Sequence, residues 1–264
     1  MIFHIFKLIR SYLDYPPAVH GIPLRLTAMS SLPFNLIPDD DATRLRALER
    51  YQLLDACREK ILDDVVAITA RLFRVSNAML SIVEENTVLI KAPYNLPVDL
   101  TRIPREQSLC SATILQTDTA VFEDLKQSSA PGVDISLILQ LGLQFYAGHN
   151  LRTPDGHNIG TLCLFDGPPR QFRPAERHLL GQLAGLVMHL LELRRTLGPH
   201  SGFTALLWET IYQAMSEQLA GLAALAERAV PATGPGQLAT ADAEAAGAIV
   251  ASLDQLVVAT LRRK

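Results

Sequence analysis

The chain has 264 residues, 48% of them apolar and 19% charged, with a formal net charge of −3. That length allows one or two domains, and that apolar content supplies a substantial core and excludes general disorder. With 24 basic against 27 acidic residues there is no broad positive field to hold nucleic acid, and 15 glycines and 16 prolines are too few for a low-complexity chain.

In chain order, Met1 to Leu13 is apolar but interrupted by Lys7 and Arg10, and it is too short to span a bilayer. The preferred reading is a start codon placed too early, with Met29 as the true start. The alternative is an interfacial helix with Phe3, Phe6 and Ile9 facing lipid, and membrane contact is expected only in that case. No other stretch approaches a transmembrane helix, so the body is expected to be soluble and cytoplasmic. Residues 14–38 are proline-rich without a period, and residues 1–38 form an irregular extension.

Asp39, Asp40 and Asp41 precede a helix that runs to about Asp55, and one of these aspartates is expected to cap it. Ile61, Val65, Ile68 and Leu72 give a second helix one apolar face. Ala78–Val83 and Thr87–Lys91 then read as a hairpin about Glu84-Glu85-Asn86. Residues 93–107, with Pro93, Pro97 and Pro104, read as a long loop. A short helix is expected over Leu109–Gln116, a strand over Ala120–Asp124 and a helical turn near Ile135–Leu139. Leu143–Leu151 and Asn158–Phe165 are the clearest strand pair, joined at Thr153-Pro154-Asp155-Gly156, where glycine supplies a positive φ. Pro174 opens a long helix that Gly198-Pro199 stops. Consecutive antiparallel strands between helices indicate an α+β fold, an antiparallel β-sheet flanked by helices. Phe203–Val230 and Ala239–Leu261 read as a C-terminal helical hairpin, too small to be stable unless it packs on the sheet domain or on a second copy.

Four stretches carry a family resemblance. Arg50-Tyr51-Gln52-Leu53-Leu54-Asp55, Pro104-Arg105-Glu106-Gln107-Ser108-Leu109-Cys110, Phe145-Tyr146-Ala147-Gly148 with Leu151, and Gly160 to Asp166 with Pro169-Arg170 occur in the order found in GAF domains. Ala42 to Leu197 resembles a GAF domain of bacterial signalling proteins. The division implied is 1–38 extension, 39–198 GAF-like sensory domain and 199–264 helical hairpin. The resemblance implies loops folded over one sheet face as a pocket lined by Ser108, Cys110, Phe122, Tyr146 and Cys163. The aspartate–arginine–phenylalanine stretch usual in close relatives is missing before Phe145.

The three cysteines, Cys57, Cys110 and Cys163, are odd in number and far apart, which suits a reducing compartment better than a disulfide framework. Cys110 is expected near a helix start with Arg105 close in sequence, a setting that lowers a thiol pKa. The plain alternative for Cys110, and more so for mid-strand Cys163, is a small buried apolar side chain. His149, His157, His178 and His189 have no metal spacing, and Asp124 and Asp166 are expected to satisfy loop N–H groups. No paired acids suggest acid–base catalysis. After residue 198 there is no kinase-type phosphoacceptor box, nucleotide loop or cyclase signature, and His200 lies among helix breakers.

The leading reading is therefore a non-catalytic GAF-type sensory protein of signal transduction. Its expected partners are a small-molecule ligand, a second copy docked through the helices, and a separate kinase or response protein, with no nucleic acid. The cofactor is left open. The alternative is a thiol-based redox sensor or a GAF-type reductase of free methionine sulfoxide using Cys110. Against the reductase, Trp208, the one tryptophan, lies outside the sheet domain.

Overall fold

The chain divides into Met1–Pro33 and Phe34–Lys264, and all described residues belong to the second unit. The computed structural model describes residues 35–54, 59–96, 100–197, 202–228 and 238–262. The expectations for the N-terminal extension before residue 35, for Cys57 and for His200 lie outside these residues.

Helix α1 (Asp41–Glu49) starts at the aspartate cluster, but Asp40 caps it with no side-chain hydrogen bond. Asp41 is engaged instead by Arg44, Nε to Oδ1 at 2.6 Å. The helix ends before the expected Asp55, and the backbone takes a positive φ of 49° at Gln52. Helix α2 (Lys60–Phe73) follows its predicted stripe, with Ile61, Val65, Ile68 and Leu72 buried.

Six strands then form one sheet: β1 (Asn77–Val83), β2 (Thr87–Tyr94), β3 (Arg102–Pro104), β4 (Ala120–Phe122), β5 (Phe145–Arg152) and β6 (Asn158–Asp166). Their order is β3-β2-β1-β6-β5-β4, and every neighbouring pair is antiparallel. The expected 93–107 loop is partly ordered structure: β2 continues to Tyr94, and β3 leads into a 3-10 turn at Arg105–Gln107. Pro104 lies on the edge strand, where proline is tolerated, and Pro93 lies beyond the β3 pairing, opposite Met79 of β1. The Thr153–Gly156 turn forms as expected, with Gly156 at φ 94°.

The pleat sends alternate residues to opposite faces. Ala78, Leu80 and Ile82 of β1 face a layer made by α2 and helix α5 (Pro174–Leu197). Met79 and Val83 face the other way, toward helix α3 (Leu109–Thr113) and helix α4 (Ser136–Gln140) with their flanking loops. Strand β1 is buried along its whole length because both sheet faces are covered.

Helices α6 (Gly202–Arg228) and α7 (Thr240–Arg262) complete the described chain. Helix α6 lies mainly on α2 and α7 mainly on α5, with a lesser contact between them. The expected hairpin thus docks on the sheet domain's own helices. Helix α7 is long and apolar enough to cross a membrane by length and composition, which corrects the expectation that no stretch beyond the N-terminus approaches a transmembrane helix. Its Val250, Leu253 and Val257 are buried, and its Asp254 pairs with His189 of α5 at 2.5 Å.

Candidate functional site

The site lies on the sheet face away from α2 and α5. Ser108 precedes α3, and its hydroxyl accepts the Cys110 backbone N–H at 3.3 Å. That bond turns the chain so that Cys110 enters the first turn of α3 facing the sheet. From below, β6 presents Cys163 on the same face, and the two sulfurs stand 3.7 Å apart. Strand β5 presents Tyr146, whose hydroxyl lies 2.7 Å from Thr113 Oγ1 and donates toward Cys110 Sγ at 3.8 Å. Phe122 of β4 packs its ring 6.1 Å from that of Tyr146. All five residues expected to line a pocket converge here.

They converge as packed core. Cys110, Cys163 and Tyr146 are 0% exposed, and Ser108 is also buried. A hollow of about 50 Å³ lies beside them, between the sheet and the cap made by Leu96, residues 100–109 and residues 137–143. Its lining includes Met79, Ile103, Leu137, Leu141 and Phe165, and among the described lining side chains only Gln107 and Ser108 are polar. Of the five predicted residues, Ser108 alone reaches it. The hollow's apolar walls combine strand residues such as Met79, Ile90 and Phe165 with Leu137 and Ile138 of α4 and loop residues such as Leu100 and Leu141, a grouping that only the tertiary fold creates.

Arg105 does not act on Cys110. Its guanidinium binds Asp41 at 3.2 Å and the carbonyls of Leu36, Glu84 and Glu85. Asp41, which also pairs with Arg44, outcompetes the thiol for the cation. What lowers the Cys110 pKa is the Cys163 thiol first, opposed by burial, with help from the hydroxyls of Ser81, Thr161 and Ser108. Burial raises the pKa of Cys163, and more so with Cys110 alongside. Tyr146 is pushed well above its ordinary value by burial, so its hydroxyl stays protonated and able to donate. Ser81 and Thr161 bond each other at 2.8 Å across β1 and β6. Sequence reasoning passed over both, as well as Thr113, because hydroxyls inside apolar strands read as filler.

The other candidates fill structural roles. Asp166 accepts the Gly167 N–H at 2.9 Å and Asp124 the Lys126 N–H at 3.0 Å, as expected. His149 packs between β5 and α5, with Nδ1 2.7 Å from Thr119 Oγ1. Among the described residues, no group of three His, Cys, Asp or Glu side chains is placed to hold a metal ion.

The chain is similar to several known proteins. A cyclic di-GMP phosphodiesterase of Pseudomonas aeruginosa is 29% identical over 163 residues, which cover 60% of this chain but 27% of the relative. The chain thus spans about a quarter of that relative's length. Among solved structures, the GAF domain of an Acinetobacter phosphoenolpyruvate-protein phosphotransferase is 15% identical, covers 57% of this chain and 93% of its own, and has a TM-score of 0.43. The free methionine-R-sulfoxide reductase of Neisseria meningitidis is 20% identical over 62% of this chain and 96% of its own, also with a TM-score of 0.43. The sequence model of the GAF domain matches residues 58–191, from just before α2 to within α5 and so across the whole sheet. With half its length matched, this chain belongs to the GAF domain family.

Proposed function

We propose that the chain is a regulatory GAF module of signal transduction that receives a small apolar molecule and catalyses no reaction of its own. The observation that carries this reading is the hollow beneath the cap, with its almost wholly apolar lining. A volume of about 50 Å³ holds only a few heavy atoms, whereas drug-sized ligands occupy roughly 300–1,000 Å³. A larger ligand therefore enters by lifting the cap, whose Ile103, Leu137 and Leu141 are only partly buried. The displacement would pass through the sheet to α2 and α5, and from there to α6 and α7. On this proposal those outer helices dock a second copy or a separate response protein in the cytoplasm. The phosphodiesterase relative supports a place in signalling.

Native mass spectrometry of the full chain purified from its own host tests the reading. The expected result is a small apolar adduct that is absent from the Leu137→Trp variant, in which the indole fills the hollow. A bare mass for the unaltered chain overturns the ligand reading.

A further inference from the structure

The two buried thiols lie beside the hollow and outside its lining. We propose that Cys110 and Cys163 are a peroxide-reactive dithiol, in which Cys110 attacks a small hydroperoxide and Cys163 closes a reversible disulfide between α3 and β6. Three observations support this. The sulfurs are 3.7 Å apart, and the Cys163 thiol also donates to the Met79 carbonyl at 3.5 Å. Donors converge on Cys110: the Tyr146 hydroxyl reaches its sulfur at 3.8 Å, and the hydroxyls of Ser81, Thr161 and Ser108 also act on it. Hydrogen bonds to the charged form favour a thiolate, against the burial that opposes it. Finally, the hollow stops beside the pair without being lined by either cysteine, so a peroxide passes one layer of side chains to reach them. Ser108 and Leu109, the two residues before Cys110, line it, and so does Met79, which pairs with Cys163 across β1 and β6.

The chemistry balances with hydrogen peroxide as the oxidant. Cys110 sulfur attacks one peroxide oxygen, and the O–O bond breaks. The thiol's proton leaves with the other oxygen as water, and Cys110 becomes a sulfenic acid. Cys163 then attacks that sulfur. The S–S bond forms, the S–O bond breaks, and the Cys163 proton departs with the hydroxyl as a second water. Two thiols and one peroxide give one disulfide and two waters. A bond of about 2.05 Å requires the sulfurs to close in, which draws the first turn of α3 onto β6 and takes from Tyr146 the thiol it faces. An exogenous dithiol reverses the step.

Access through a hollow of about 50 Å³ makes the reaction selective for small oxidants. The test uses the full, unaltered chain, exposed to hydrogen peroxide or to cumene hydroperoxide, alkylated and mapped by peptide mass spectrometry. Hydrogen peroxide is expected to link the Cys110 and Cys163 peptides, the link is expected to vanish with dithiothreitol, and cumene hydroperoxide is expected to act at least ~10-fold more slowly. In the Cys163→Ser variant, dimedone is expected to trap a sulfenic acid at Cys110. Recovery of Cys110 and Cys163 as free alkylated thiols after peroxide overturns the proposal. So does oxidation of Cys110 in the unaltered chain with Cys163 left free. Equal rates with the two peroxides overturn the hollow as the way in. The chain is first freed of any bound apolar molecule, as checked by its native mass, so that a ligand in the hollow does not block the peroxide and failure of the ligand reading stays distinguishable from failure of this one.

Discussion

At Gly148 an added Cβ would stand 2.2 Å from the Tyr146 hydroxyl, so the tyrosine ring lies along its own strand over a residue that has no side chain. That vacancy aims the hydroxyl at Thr113 and Cys110. Gly148→Ala is therefore expected to push Tyr146 aside and cost about 1–3 kcal/mol in urea denaturation. Tyr146→Phe, which keeps the ring and removes only the hydroxyl, should cost about 1 kcal/mol, since Thr113 keeps its second bond to Leu109 O at 2.9 Å. His149 makes a pH prediction. Burial holds its pKa below the ordinary value, with Asp118 opposing, so the unfolded chain takes up a proton at a pH where the fold does not. The fold is then fully favoured above the unfolded value of about 6.5 and loses stability as the pH falls below it toward the folded value. Denaturant midpoints should decline through that window, and His149→Gln should flatten the decline.

Among the elements, β1 and β6 approach too closely at Gly160 for any side chain. A Cβ there would meet the Ser81 carbonyl oxygen at 2.1 Å, and backbone cannot step aside. Gly160→Ala should separate the central strands and cost at least ~2 kcal/mol, read as a lowered thermal midpoint. Arg170 joins elements from buried ground. It binds Glu176 at the start of α5 at 2.5 Å and the Phe73 carbonyl at the end of α2 at 2.6 Å, and its guanidinium lies 5.3 Å from the Phe145 ring centre. Arg170→Ala leaves Glu176 as an unpaired buried charge, a loss of about 3–5 kcal/mol that equilibrium unfolding would measure. Elements with one apolar face were legible in the sequence, as Ile61, Val65, Ile68 and Leu72 show for α2. Strand β3 was not, because three residues with a proline show no period. The irregularity at Leu80/Ser81, where Ala92 and then Ile90 pair and Lys91 is skipped, exists only through the partner strand.

At the largest scale, the described residues form a sheet covered by a cap on one face and by two tiers of helices on the other. Helices α6 and α7 cover α2 and α5, with Met215, Leu222, Val250 and Leu253 in the same continuous core as Leu183 and Val187. A chain ending at Leu197 should expose that core, aggregate, and show a smaller urea m-value in whatever fraction remains folded. Unchanged cooperativity in the shortened chain would separate the outer helices from the folding unit. The five candidate residues were legible as a group because family motifs place them. The pairing of Cys110 with Cys163 was not, because the order of the strands closes a gap of 53 residues that no local pattern spans. Arg105 was misread for the same reason, since the carboxylate that claims it lies 64 residues upstream.

That claim has a mechanical consequence. Asp41 grips Arg44 and Arg105 together, Arg44 holds the Val83 carbonyl, and Arg105 holds the Leu36 carbonyl. The chain at Leu36, the tip of the first hairpin and the 3-10 turn that launches α3 are thereby tied into one knot. Tension applied at Leu36 is delivered to that turn, three residues ahead of Ser108, without passing through the sheet.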